Sequence, residues 1–232
     1  RPRLVHAHAE PHELAALDRT MTGVFWLDLA VLHPVAARVK RVVDVTVALA
    51  LIVLLAPLFV LVALLIQATS RGPAIFRQER IGFRCNRFAM YKFRTMRQGA
   101  HQSEAALAEQ EGKAFLKIER DPRITPLGKF LRKYSIDELP QLFNVLEGTM
   151  SLVGPRPLLV SDLTRFPRRS QMRRFSVKPG LTGLWQVSGR SLLDDQARLE
   201  LDRRYVSEWS LWLDLRILLR TVRVVLSGKD AF

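Results

Sequence analysis

The sequence predicts an α/β-type fold, a helix-rich domain with one small β-hairpin, attached to a long apolar helix. Val45 to Ser70 carries no charged residue and is long enough for a continuous hydrophobic helix. Residues 74 to 97, AIFRQERIGFRCNRFAMYKFRTMR, mix apolar and basic residues on both sides of Gly82, the pattern of two strands joined by a turn. Leu139, Leu142, Phe143 and Leu146 recur at helical spacing and predict a buried helix face.

At 232 residues the chain can bury one substantial core and a small appendage. A net charge of +14 on a chain that is 48% hydrophobic points to an anionic partner: nucleic acid, a lipid surface or a phosphorylated substrate. The single cysteine, Cys85, excludes an internal disulfide and a cysteine-only metal site. The first residue is Arg1 rather than Met and no signal peptide is visible, so a processed chain or a piece cut from a longer one is expected.

Residues 1–36 show little periodicity and read as a linker or the tail of an upstream domain, with Val24 to Leu32 forming one strand or a short hairpin arm. The apolar run follows, with Pro57 near its middle and basic residues on both flanks: Arg38, Lys40 and Arg41 before it, Arg71, Arg77 and Arg80 after it. A simple span favours one cytoplasmic end by its positive charge, whereas this segment favours both. By sequence, a Pro-kinked span and a hairpin that dips in and returns stand at even odds.

In the 74–97 segment, Arg77, Arg80, Arg84, Arg87, Lys92, Arg94 and Arg97 make a strongly cationic stretch interleaved with aromatics. A solvated basic face or nucleic-acid binding would fit that composition, but the adjoining hydrophobic run favours lipid phosphate. Residues 100 to 116 predict a polar surface helix. Thr125-Pro126 predicts another helix start, with Leu127, Phe130 and Leu131 facing inward. Gly154-Pro155-Arg156-Pro157 and Lys178-Pro179-Gly180 predict rigid turns whose loops carry Arg156, Gln186 and Arg190, three residues able to converge on an anion. Leu211 to Leu226 predicts a basic amphipathic helix with Arg216, Arg220 and Arg223 at i, i+4 and i+7. It suits a membrane interface and a plain surface equally well.

The chemistry concentrates in Arg132 to Pro157, RKYSIDELPQLFNVLEGTMSLVGPRP. Adjacent carboxylates, Asp137 and Glu138, lie among Arg132, Lys133 and Arg156. The S-x-x-E pattern from Ser135 to Glu138 has an ordinary explanation as a helix capping box. Pro140 lies too deep for a helix capped by Ser135, which moves the expected start toward Leu139. Either start puts the carboxylates beside a helix N-terminus.

Taken together, "KRVVDV", "YKFRTM", "DELPQLFNVLEG", "MSLVGPRP", "KPGLTGLWQVSGR" and "WLDLRIL" give the chain its resemblance to the bacterial sugar transferase family, the monotopic polyprenyl-phosphate phosphoglycosyl transferases, over Lys40 to Phe232. The resemblance implies transfer of a sugar 1-phosphate from a nucleotide diphosphate sugar, UDP-linked by expectation, to polyprenyl phosphate with release of a nucleoside monophosphate. It implies a first membrane step of envelope or exopolysaccharide assembly on the cytoplasmic face of the bacterial inner membrane. It also implies a divalent ion, usually magnesium. Asp137 matches the family's nucleophile and Glu138 its metal-binding glutamate; Arg132 and Arg156 match its phosphate-site arginines. Arg190 and Asp214 match other positions assigned to the site, and Lys92 is a further candidate. Where the family has Ser-Pro at the membrane break, this chain has Ala56-Pro57, which loses a hydroxyl able to satisfy backbone there.

The resulting division is a tail at 1–36, a re-entrant membrane helix at 37–72 and a catalytic domain at 73–232 with interfacial helices. Expected partners are the nucleotide sugar, polyprenyl phosphate and anionic membrane lipid, with no nucleic acid and homodimerisation left open. Two rival functions remain. A membrane-tethered basic binding module would need no carboxylate centre, and a transferase moving only the sugar would release a nucleoside diphosphate.

Overall fold

The computed structural model describes residues 33–97, 121–159, 172–189 and 193–227. Val24 to Leu32, the expected helix at 100 to 116 and Arg190 lie outside the described residues.

The apolar run forms two helices, α1 (Pro34–Leu54) and α2 (Ala56–Thr69), bent by 61° at Leu55. Pro57 occupies the first turn of α2, where a residue without N–H is tolerated at the start of a new helix and not in the middle of an old one. Among the described residues no single helix is long and apolar enough to cross a membrane, whereas the bent pair passes by length and composition.

The expected hairpin follows: β1 (Ile75–Ile81) pairs antiparallel with β2 (Arg87–Phe93), Ile75 opposite Phe93 and Ile81 opposite Arg87. Its turn places Arg84 (φ 52°) and Cys85 (φ 57°) in the left-handed region. Helix α3 (Pro126–Lys133) starts as its sequence predicts, with Pro126 in the first turn and Thr125 Oγ1 accepting from Gly128 N at 2.9 Å. Its buried row is Gly128 and Leu131, so Phe130, expected inside, is 54% exposed and packs on Tyr134 instead.

After the acidic turn come α4 (Gln141–Glu147) and β3 (Ser151–Val153). The Lys178-Pro179-Gly180 turn leads into a short strand, β4 (Gly180–Thr182), which pairs in parallel with β3. Gly154 and Gly180 permit this because a side-chain carbon on either would collide with the other's backbone. Two helices complete the fold: α5 (Asp195–Ser207), capped by Asp194 through Ala197 N at 2.7 Å, and α6 (Leu211–Ser227).

One apolar cluster gathers Met90, Leu142, Val145, Met150, Leu152, Val153, Tyr205 and Ile217, and Ala48 of α1 belongs to it. A second joins Val62 and Ile66 of α2 to Phe93 and Leu131. The apolar helices are therefore integral to the domain's core. Phe143 departs from expectation: with α4 beginning at Gln141, the buried row is Gln141, Leu142, Asn144 and Val145. Phe143, 41% exposed, meets Phe59 of α2 edge-on at 5.8 Å.

The "KRVVDV" stretch of α1 fastens these parts. Arg41 donates to the carbonyls of Val145 (2.6 Å) and Leu146 (2.9 Å), capping the C-terminal end of α4 with a cation. Asp44 accepts from Ser151 Oγ at 2.7 Å and Leu152 N at 3.2 Å. Lys40 reaches Asp214 of α6. Lys40 and Arg41, read from sequence as a basic membrane flank, thus serve internal contacts, and Arg38 is left exposed.

Candidate active site

Ser135 does not act as the capping residue for the acidic turn. It lies in the left-handed region (φ 55°, ψ 21°), makes no side-chain cap bond, and opens a single 3-10 turn, Ile136–Glu138. Pro140, lacking an N–H, stands immediately before α4, so the helix begins close to Leu139 as Pro140 requires. The turn fixes the two carboxylates in different surroundings.

Glu138 lies between two cations. Its Oε1 accepts from Lys92 Nζ at 3.0 Å and from Arg156 Nη2 at 2.9 Å. Burial raises the cost of the Glu138 charge, but Arg156 and Lys92, by charge and hydrogen bond, outweigh it and hold the carboxyl well below the usual range. Lys92 comes from β2, whose alternation turns it inward from the otherwise basic hairpin, and burial lowers its ammonium from the ordinary value.

Asp137 is 7% exposed and takes no hydrogen bond or ion pair among the described residues. Burial raises its pKa and the adjacent Glu138 adds to the rise, against the pull of Lys92, Arg132 and Arg156. One carboxylate of the pair is therefore committed to cations, while the other is unengaged and more basic than an ordinary aspartate. That division suits a nucleophile beside a charge-binding partner.

Arg132, near the end of α3, donates from Nε to Thr95 Oγ1 at 2.9 Å, and neither terminal nitrogen has a partner among the described residues. Two parallel N–H groups are thus available for a phosphate. Arg156 stands over the Trp185 ring, 6.0 Å from its centroid. Lys92, Arg132 and Arg156 together exceed the charge of the two carboxylates, which leaves the site with an affinity for anions.

Two other expected positions make no hydrogen bond to the acidic pair among the described residues. Gln186 follows Trp185 and donates to Leu181 O at 3.2 Å rather than to the acidic pair. Asp214 lies in a different buried network, accepting from Lys40 (2.6 Å), Tyr205 Oη (2.8 Å) and Trp209 Nε1 (3.3 Å). Sequence reasoning missed Thr95 and Trp185, both inside motifs it had singled out, "YKFRTM" and "KPGLTGLWQVSGR".

No group of three or more His, Cys, Asp or Glu able to cage a metal occurs among the described residues. Magnesium requires fewer protein ligands, because it is commonly held by one or two carboxylates together with substrate phosphates. The adjacent pair fits that pattern, since Glu138 Oε2 and the Asp137 carboxylate are uncommitted among the described residues.

Comparison with known proteins identifies relatives and a family. The chain is 50% identical over 163 residues to the galactosyl transferase CpsE of Streptococcus agalactiae, covering 69% of this chain and 36% of that protein. It is 40% identical over 199 residues to an undecaprenyl-phosphate galactose phosphotransferase of Salmonella typhimurium, covering 83% and 41% respectively. It is 36% identical over 227 residues to the exopolysaccharide production protein ExoY of Rhizobium meliloti, covering 94% of this chain and 100% of ExoY. The chain thus spans about two fifths of the first two relatives and the whole of the third. The model of the bacterial sugar transferase family matches residues 35–228, and the chain belongs to that family.

Proposed function

We propose that the chain transfers a sugar 1-phosphate from a nucleotide diphosphate sugar, UDP-linked by preference, to polyprenyl phosphate at the cytoplasmic face of the inner membrane, beginning an envelope or exopolysaccharide glycan. The observation that carries this reading is the unequal acidic pair. Glu138 is saturated with cations on one oxygen, and Asp137 beside it is buried, unpaired among the described residues and unusually basic. The name of the Salmonella relative, an undecaprenyl-phosphate galactose phosphotransferase, supports undecaprenyl phosphate as the acceptor.

In the proposed first step an Asp137 carboxylate oxygen attacks the sugar-bearing phosphorus. A P–O bond forms to Asp137, the bond to the bridging oxygen breaks, and its electron pair leaves with the nucleoside monophosphate. In the second step a phosphate oxygen of the polyprenyl carrier attacks the same phosphorus and the Asp137–phosphorus bond breaks. The products are a polyprenyl diphosphate sugar and the original carboxylate. Arg132 supplies two donors to the diphosphate, while Lys92 and Arg156 orient Glu138 and offset the repulsion between carboxylate and phosphate. A divalent ion, held by Glu138 and the substrate phosphates, would neutralise charge on the transferred group.

Membrane attachment through a re-entrant α1–α2 pair accompanies this reading. It is supported by the 61° bend and by exposed apolar residues on all three helices, among them Leu49 of α1, Leu61 and Leu64 of α2, and Trp212, Leu215 and Leu219 of α6. Arg216, Arg220 and Arg223 on the same outward side of α6 suit an interfacial helix whose arginines reach the headgroups. The decisive assay uses labelled nucleotide sugars with polyprenyl phosphate in nanodiscs and identifies the released nucleotide. A monophosphate is expected. A diphosphate would replace this reading with transfer of the sugar alone, and no turnover with any donor would favour a binding module.

A further inference from the structure

Arg156 is presented by a loop that cannot be held through its own neighbouring amides, because Pro155 and Pro157 on either side have no N–H. The loop is instead held through three successive carbonyls, each by a donor from a different segment. Pro155 O accepts from Gly180 N at 2.9 Å, Arg156 O from Arg174 Nη2 at 2.8 Å, and Pro157 O from Arg80 Nη1 at 3.3 Å. The central clamp is the buried one. Arg174 is 6% exposed, and the same Nη2 lies 2.7 Å from Asp202 Oδ2 of α5, a carboxylate that is 1% exposed. Arg156 and Arg174 also line the same small cleft, together with Gly82 and Phe175.

A buried ion pair of this kind is weak as a device for stability, because removing both charges from water offsets most of their attraction. Asp202 Oδ1 is moreover buried with no partner among the described residues, so the pair is not optimised as a stabilising network. What the pair does achieve is geometric: it fixes the backbone of the one arginine that holds Glu138. We propose that Arg174 and Asp202 are positioning residues for the phosphate site, acting through the Arg156 carbonyl to set the Arg156 guanidinium against Glu138 and the incoming diphosphate. The proposal rests on the phosphate-binding part of the function above and assigns the two residues no contact with substrate.

The test is a binding cycle on the full chain in nanodiscs, with UDP, GDP and ADP as probes in magnesium buffer, measured by calorimetry and accompanied by melting curves. Asp202→Asn is expected to weaken the best-bound diphosphate about ten-fold in the otherwise native chain. In an Arg156→Gln background it is expected to weaken it less than two-fold, because the residue acts only through Arg156. A purely structural role predicts the same factor in both backgrounds, and that result, or native affinity in Asp202→Asn, overturns the proposal. Failure of the native chain to bind any of the three diphosphates overturns it as well. Should Asp202→Asn not fold, Arg174→Lys carries the same cycle, since an ammonium on its flexible stem does not reproduce the fixed guanidinium geometry that sets Nη2 between carbonyl and carboxylate. The expected cycle in a chain that transfers nothing to polyprenyl phosphate would leave the positioning pair standing and reject the proposed reaction.

Discussion

Lys40 Nζ lies 2.6 Å from Asp214 Oδ2 although the two residues are 174 positions apart. The contact ties the first helix to the last, and Tyr205 Oη joins it by donating to Asp214 Oδ1. Asp214, which the family resemblance assigns to the active site without a stated role, thereby joins the apolar helices to the domain that carries the acidic pair.

Removing one partner from this joint leaves a largely buried charge with too few compensating groups. Asp214→Ala is expected to destabilise the chain by about 3–5 kcal/mol. Lys40→Met is expected to cost less, since Tyr205 and Trp209 still donate to Asp214. Chemical denaturation of the detergent-solubilised chain measures both. Equal losses, or losses below about 1 kcal/mol, would show that the contact does not carry the docking.

Arginine geometry gives a second expectation. Arg132 offers two parallel N–H groups and Arg156 engages Glu138 while standing over Trp185, so Arg132→Lys and Arg156→Lys should each lower kcat/KM for the donor about 100-fold despite keeping the charge. Steady-state assays with nucleotide release as readout check this. Lysine variants with native activity would reduce both residues to background charge. Arg77 and Arg87, exposed on the hairpin, should instead weaken binding to anionic vesicles by about 1 kcal/mol each when neutralised.

The buried carboxylate of Asp202 makes stability depend on pH. Burial pushes its pKa up to about 6, against the opposing pull of Arg174 and Arg156. With the folded value above the unfolded one, its contribution is fully present below about pH 4 and is lost as pH rises through about 6, an effect of about 3 kcal/mol. Asp202→Asn should remove that dependence. The difference in unfolding free energy between native and variant chains, followed from pH 4 to pH 8, should change in that window and in that direction. A difference that stays constant would contradict the assignment.

The re-entrant arrangement proposed for α1 and α2 carries a topological expectation. Single cysteines near Arg38 and near Arg71, in a background lacking Cys85, should both be protected from an impermeant thiol reagent added outside spheroplasts. Labelling near Arg38 alone would establish a span. Pro57→Ala should straighten the 61° bend toward a continuous helix and lower activity, because α2 packs through Val62 and Ile66 on Phe93 and Leu131.

Much of the local structure is legible in the sequence because its causes are local. Thr125-Pro126 gives both cap and first turn, Gly82 divides two strands, and Pro140 sets the start of α4. The acidic pair is legible for the same reason: two neighbouring carboxylates among cations stand out in any composition. Pairings between distant segments are not legible. Nothing around Lys40 or Arg41 distinguishes a membrane flank from cations bound to Asp214 and to the end of α4. Nor does anything around Asp202 announce Arg174. Phe130 and Phe143 were misplaced because helical spacing defines a row without choosing its direction, and for short helices a shift of one residue in the start moves the buried face.

In the proposed reaction Asp137 carries the phosphosugar between two half-reactions. Incubation of the full chain with nucleotide sugar alone, quenched on the millisecond scale and examined by intact mass and peptide mapping, tests it directly. A burst of nucleoside monophosphate stoichiometric with enzyme and a sugar-phosphate adduct on Asp137 are expected. Polyprenyl phosphate should discharge the adduct, and Asp137→Asn should abolish it without changing the fold. An absence of adduct, together with nucleotide release that requires both substrates at once, would contradict the claim.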